Sequence, residues 1–271
     1  MIARWFRGLA LLTTAGLLAA SPASGQEKKR VVFVVGEPEY KSERTMAALA
    51  EELKSAHGLE TTVLLAKPNP ENAKDIPGLE ALEKADLAVF FLRWRELPAD
   101  QMAKVKAYID SGKPVVAFRT TTHAFRYPKG DPQEAWNDFG PDVLGAPWIY
   151  HYGHDSSTDV AVAPEAAADP ILSGVPPTFH VRSWLYQVKP SYPAPGSKPL
   201  LIGTSVGPSD RKQRDTNPVA WTRQTKAGGK VFMTTMGHPE DFDVPGFRKL
   251  VVNGIHWALG LPVPPAPAAP N

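Results

Sequence analysis

Residues 30–36 (RVVFVVG) form an unbroken β-branched run that stops at a glycine, the pattern of a strand buried on both faces. Polar positions follow until Ser42, which can cap a helix with Glu43 in its first turn. Met46, Leu49, Ala50 and Leu53 then recur at helical spacing until His57 and Gly58 end the element. Residues 59–65 read as a second strand. A Pro-rich loop and a short helix at 79–84 lead to a third, DLAVFFL at 86–92. Pro98 opens another helix, with Met102, Val105 and Ile109 on one face and Gly112 just past its end, and PVVAF at 114–118 is a fourth strand.

This βαβαβαβ rhythm predicts a three-layer α/β/α sandwich with a mostly parallel, flavodoxin-like sheet. Ligands on such sheets sit beyond the carboxyl ends of the strands, so chemistry is expected after Gly36, Leu92 and Phe118. From about 120 to 160 the rhythm gives way to an aromatic, Gly/Pro-rich excursion, too long for an idle connection and read as a site-forming loop. Further strands are expected at 160–162, 200–205, 218–222 and 230–235. A closing helix starts at Pro245 and buries Phe247, Leu250, Val251, Ile255 and Ala258. The Pro/Ala-rich tail at 261–271 is expected to be disordered. No internal repeat is visible, and residues 26–260 read as a single domain.

Composition narrows the field. The chain has 271 residues and no cysteine, which excludes disulfides, thiolate metal sites and a cysteine nucleophile. Residues 1–25 have the form of a secretory signal: Arg4 and Arg7, an apolar stretch from Leu9 to Ala20, then small residues at Ala23 and Gly25. That stretch is about a dozen residues, against the ~20 needed to span a bilayer, so cleavage is favoured over a stable membrane anchor. The expected location is periplasmic or secreted. Beyond Gly25 the formal charge of +2 falls to zero. No clustered basic face suggests a nucleic-acid partner, and Lys28, Lys29 and Arg30 are a short solvated run.

Two segments together carry a family resemblance. PVVAFRTTTHAF at 114–125 and NPVAWTRQTKAGGKVFMTTMGHPEDFDVPGFRKLVVNGIHWALG at 217–260, with the opening VVFVVGEPEYKSERTMAALAEEL, resemble the trehalose-utilisation (ThuA-like) family. The fold of that family is similar to that of class I glutamine amidotransferases, in which a strand ends in a sharp turn bearing a nucleophilic cysteine and a later H-x-E pair activates it. Here Arg119 stands where the cysteine would be, while His238-Pro239-Glu240 looks like the later pair. Thiolate chemistry needs sulfur, so amidotransfer is excluded. Thr120, Thr121 and Thr122 could supply a hydroxyl near the same strand end, although capping of the next turn explains them more simply.

His238 and Glu240, with His123 and Arg119, are therefore the expected catalytic groups. Glu37, Glu39 and Tyr40 after strand one, Arg93, Trp94 and Arg95 after strand three, Thr121 after strand four and Trp184 are the expected substrate-binding groups. Three arginines at adjacent strand ends would repel one another unless they met carboxylates or a polyhydroxyl or anionic ligand. Aromatics crowd the same loops, among them Tyr127, Trp136, Trp148, Tyr150, Tyr152 and Tyr186, and flat apolar faces beside polar groups suit sugar rings.

His151 and His154, completed by His123 or His238, could hold a divalent metal such as zinc, although the pair lacks the helical spacing of an HExxH site. No GxGxxG follows the first strand, so a nicotinamide site is not expected. The family resemblance implies carbohydrate metabolism: a small disaccharide, glycoside or keto-sugar ligand acted on by acid/base chemistry, metal-assisted if the histidine pair holds an ion. A non-catalytic sugar-binding or accessory protein is the alternative, because loss of a nucleophile from an enzyme fold is what such a descent would leave.

Overall fold

The alternation of side-chain direction along the buried first strand sorts the molecule into layers. In this computed structural model, which describes residues 27–188, 196–207 and 215–265, the chain runs β1 (Arg30–Gly36), α1 (Ser42–His57), β2 (Glu60–Leu65), β3 (Leu87–Leu92), α2 (Ala99–Asp110) and β4 (Val115–Phe118). There follow β5 (Tyr150–His151), β6 (Ser157–Val162), β7 (Thr178–Val181), β8 (Tyr186–Gln187), β9 (Lys198–Val206), β10 (Thr216–Gln224), β11 (Lys230–Thr234) and α3 (Pro245–Ala258). Val31, Phe33 and Val35 pack with Met46 and Leu53 of α1 and with Phe247, Leu250 and Ile255 of α3. Val32 and Val34 point the other way, into a cluster with Met102 and Val105 of α2 and with Phe125, Phe139 and Leu144 of the long excursion. Both faces of the central strands β1, β3 and β4 are covered, which is why residues 31–36, 87–92 and 115–118 are buried without a break, whereas the edge strand β2 is half exposed.

The main sheet has the order β2-β1-β3-β4-β11-β10-β9-β6-β7. The first five are parallel to one another, and the remaining four extend the sheet antiparallel. From β1 the chain steps outward to β2 and then back across β1 to β3. The crevice between the carboxyl ends of β1 and β3 is therefore the topological switch point of the sheet. On the far layer α3 lies close against β11: a Cβ on Gly254 would stand 2.6 Å from the Phe232 ring.

Several expectations need adjustment. Ser42 does not cap α1; the helix is entered through Lys41 at φ 51°, with no side-chain cap, and the Ser42 hydroxyl donates to the Glu37 carbonyl at 3.1 Å. The short helix at 79–84 is a 3-10 turn. Strands β5, β7 and β8 were not expected; they have two, four and two residues, too short to show a period. His180, with no role in the sequence, meets Asp159 at 2.8 Å across β6 and β7. The expected signal at 1–25 and residues 266–271 lie outside the described residues. Residues 261–265 of the expected disordered tail are held to α3: Lys249 Nζ donates to the carbonyls of Pro264 and Pro265 at 2.7 and 2.9 Å. Among the described residues no helix is long and apolar enough to cross a membrane.

Candidate functional site

Turns leaving β1, β3 and β4 meet over the switch point and enclose a hollow of about 240 Å³. Glu39 and Tyr40 come from the turn after β1, Arg93 and Trp94 from that after β3, and His123 from the 3-10 turn 119–123 after β4. The β5–β8 pair sets His151 opposite Tyr186, and Trp148 and His154 flank them. Among the described residues three non-glycines have positive φ, Lys41 at 51°, Trp94 at 49° and Arg119 at 40°, and all stand on these turns. Such a backbone costs ~1–2 kcal/mol per residue and persists only where the surroundings enforce it.

Arg119 lies under the floor of the hollow, against the Tyr40 and Tyr186 rings that line it. It has no solvent exposure, and its guanidinium carbon lies 4.5 Å from the Tyr40 ring, 4.7 Å from Trp184 and 4.5 Å from Tyr186. Nη1 donates to the Thr235 carbonyl at 2.8 Å and the Trp184 carbonyl at 3.3 Å. The sharp strand-end turn expected from the amidotransferase resemblance is thus present, with a caged cation at its apex. Arg119 is not among the residues that line the hollow, and its charge is felt there by His123 and His151.

The walls are polar groups set between rings. Arg93 Nε lies 3.3 Å from the Glu39 carboxylate, the Tyr40 hydroxyl donates to Glu39 Oε1 at 3.1 Å, and the Arg93 guanidinium sits 3.8 Å above Trp94. His123 stands between Trp94 and Trp148, with ring centroids 5.5 and 4.9 Å away. Its Nδ1 is 3.2 Å from Thr122 Oγ1, whose own proton goes to the Arg119 carbonyl at 3.2 Å. His123 therefore donates through Nδ1 and keeps a lone pair on Nε2. Burial, then the charges of Arg93 and Arg119, push it down to about 3, so it is neutral at ordinary pH. His151 donates from Nδ1 to the Tyr152 carbonyl at 2.6 Å. Burial holds it below the usual histidine range, partly opposed by that bond. The indole N–H groups of Trp148 and Trp184 are buried without a partner among the described residues.

Other expected groups are elsewhere. Trp184 stands behind the hollow, 4.6 Å from the His154 ring on one side and 5.9 Å from His238 on the other, so it separates His238 from the cavity. Glu240 is not the orienting acid. Its carboxylate is 68% exposed and 3.9 Å from His238 Nδ1, which instead accepts the Glu240 backbone N–H at 3.3 Å. The helical turn 239–243 swings Glu240 outward and Asp241 inward, where Asp241 accepts from the N–H groups of Ser183 at 3.0 Å, Gly237 at 2.9 Å and His238 at 3.1 Å. Arg95 is turned away from the hollow, its Nη1 donating to the carbonyls of Pro70 at 3.0 Å and Asn72 at 2.9 Å. Thr121 is a tie between strand ends, accepting from Leu92 N–H at 3.1 Å and donating to Phe90 O at 3.0 Å. Glu37 is fully buried and accepts the N–H groups of Glu39 and Tyr40.

The zinc expectation also changes. His151 and His154 stack with centroids 4.8 Å apart, but among the described residues no three His, Cys, Asp or Glu side chains are grouped to hold a metal ion. The donor set therefore does not fit a three-ligand zinc centre. Asp241, which fixes the turn bearing His238, was missed; its sole signal was a second acid beside Glu240. Trp148 and Tyr186 line the hollow and were visible only as members of an aromatic-rich stretch. A larger hollow of about 560 Å³ opens at the opposite rim, against the β10–β11 turn; Trp136, Phe139 and Lys226 line it, but no histidine or arginine does. The larger hollow has carboxylates of Asp110, Asp138 and Asp142 beside Lys226, whereas the smaller one brings histidines and an arginine together.

Two solved structures share the fold. A ThuA-like protein from Parabacteroides merdae superposes with a TM-score of 0.68 at 16% identity, over 89% of this chain and 94% of that one. One from Bacteroides uniformis gives 0.61 at 16% identity, with the same coverage. No curated protein matches the sequence. The sequence pattern of the family described as trehalose utilisation matches residues 30–258, nearly all of the chain beyond the expected signal. The chain belongs to the trehalose-utilisation (ThuA) family.

Proposed function

We propose that the hollow binds one ring of a disaccharide, glycoside or keto-sugar and that the protein acts on it by proton transfer. The observation that carries this reading is the neutral His123 held between two indoles beside the Glu39–Arg93 pair at the switch point. At about 240 Å³ the cavity is below the ~300–1,000 Å³ usual for drug-sized ligands, and so suits a single pyranose with any second ring outside. Trp148 and the part of the Trp94 ring not covered by Arg93 offer apolar surface to ring C–H groups. Glu39 accepts from sugar hydroxyls and Arg93 donates to a hydroxyl or carbonyl oxygen. Trp148 adds an indole N–H that has no partner among the described residues.

The two imidazoles have different parts. His123, pushed down to about 3, is too weak a base to take a proton and serves as a hydrogen-bond acceptor through Nε2. His151, whose bond to the Tyr152 carbonyl offsets part of its depression, is the better proton acceptor. With the sequence signal at 1–25 read as an export signal, this chemistry takes place outside the cytoplasm. The broken His238–Glu240 pair favours one competing reading, sugar binding without turnover.

Calorimetry and product analysis with trehalose, a simple glucoside and a keto-sugar test the proposal. Binding of at least one is expected, with His151→Ala lowering turnover ~100-fold or more while binding persists. Binding with no turnover in the wild type leaves the binding-protein reading, and no binding of any of the three overturns both.

A further inference from the structure

The turn that delivers Glu39 and Tyr40 to the hollow is only a few residues long, and it is organised from inside. Glu37 has no solvent exposure, and its two carboxylate oxygens are divided between successive backbone donors: Oε1 takes the N–H of Glu39, and Oε2 takes that of Tyr40 at 2.9 Å. The Ser42 hydroxyl fixes the Glu37 carbonyl at 3.1 Å, locking the other end of the turn. Sequence spacing suggested a ligand-facing acid at this position. The residue faces the backbone of its neighbours instead.

We propose that Glu37 is a positioning residue: its buried carboxylate holds the backbone of Glu39 and Tyr40, and through them the acidic wall of the hollow, in the ligand-binding arrangement. This rests on the sugar-binding reading of the hollow. A carboxylate accepts from both N–H groups; a protonated acid keeps one good acceptor oxygen and turns the other into a hydroxyl. Protonation of Glu37 therefore loosens one of the two bonds, and Glu39 loses its fixed relation to Arg93.

The surroundings put this change within reach of ordinary pH. Arg93 and Arg95 face Glu37 from the segment after β3, Glu39 from its own turn, and Ser42, Glu43 and Lys67 border the small hollow of about 120 Å³ beside it. Burial outweighs the two backbone bonds and the Arg93 charge and raises the carboxyl to about 7. Ligand affinity should then rise with pH through this region, a dependence that the neutral His123 cannot supply.

The test uses the full chain, wild type and Glu37→Gln, from pH 5 to 9. Without ligand, the amide resonances of Glu39 and Tyr40 are followed by NMR. Both should titrate together near pH 7 in the wild type and stay flat in Glu37→Gln. Flat amides in the wild type, or the same titration in the variant, overturn the assignment. In parallel, affinity for whichever of trehalose, a simple glucoside and a keto-sugar binds should weaken about tenfold from pH 8 to pH 6 in the wild type, the worth of one charge-assisted bond, and vary little with pH in the variant. An equal pH dependence in both chains also overturns it. Amides that titrate as described in a protein that binds none of trehalose, a simple glucoside and a keto-sugar at any pH support the hold of Glu37 on the turn and overturn the sugar reading.

Discussion

At the scale of single residues, Arg119 has the greatest leverage. A guanidinium without solvent contact, among Tyr40, Trp184 and Tyr186, gains cation–π attraction of ~2 kcal/mol or more because the site is desolvated. Against this stands the cost of burying a charge that has no carboxylate bonded to it. Arg119→Met removes both, but it also strips the donor from the Thr235 and Trp184 carbonyls, at ~1–3 kcal/mol for each buried acceptor left unpaired. The orphaned carbonyls decide the sign, and a net loss of about 2 kcal/mol in denaturant unfolding is expected. The same change removes one of the charges that depress His123, so its NMR titration midpoint should rise from about 3 toward the ordinary histidine range. A midpoint that does not move would mean that Arg119 exerts no field on the hollow.

At the scale of elements, α3 is set against β11 by the absence of a side chain at one position. A Cβ at Gly254 would lie 2.6 to 2.8 Å from three atoms of the Phe232 ring, and Phe232 is fully buried on a central strand. Gly254→Ala gains ~1 kcal/mol of helix propensity, while forcing a methyl group into a packed core costs ~1–3 kcal/mol. The ring has nowhere to go, so the variant should lower the midpoint of urea unfolding, and a raised midpoint would show that α3 can slide on the sheet. Legibility in the sequence divides along the same lines. The central parallel strands β1, β3 and β4 were readable because burial on both faces makes them continuous apolar runs, and the hollow at their carboxyl ends is lined by Glu39, Tyr40, Arg93, Trp94 and His123. The antiparallel half was harder: β6 alternates burial along STDVAV, and β5 and β8 are two residues each. Orientation within a turn was not readable at all. Glu37 and Glu39 differ by two positions and Glu240 and Asp241 by one, yet in each pair one carboxylate faces the interior and the other does not.

At the scale of the whole molecule, burial of ionisable groups gives the fold two opposed responses to acid. His57, His123, His151, His238 and His256 are all held below the ordinary histidine value, with burial the leading cause in each. The unfolded chain takes up protons on these rings below about pH 6.5 while the folded chain does not, so stability falls as pH drops from there. Two of the rings form one clasp between α1 and α3: His256 donates from Nδ1 to the Pro262 carbonyl at 2.9 Å, which leaves its Nε2 to accept from His57 Nδ1 at 3.1 Å. Glu37 works the other way. Its folded value of about 7 lies above the ordinary 4.5, so the folded state binds the proton more tightly. Its contribution is fully present below about pH 4.5 and is lost as pH rises to about 7, on the order of 3 kcal/mol in all. The same carboxylate that is proposed to hold the ligand-binding turn thus costs stability where it is ionised. Denaturant unfolding of wild type and Glu37→Gln at pH 4.5 and 7.5 separates the two responses. The wild type should lose less on acidification than the variant, because Glu37 offsets part of the histidine penalty, and the difference between the two chains should shift by a few kcal/mol over that interval. Parallel losses in both chains would mean that the buried carboxyl is already ionised at pH 4.5, its two backbone bonds then outweighing its burial.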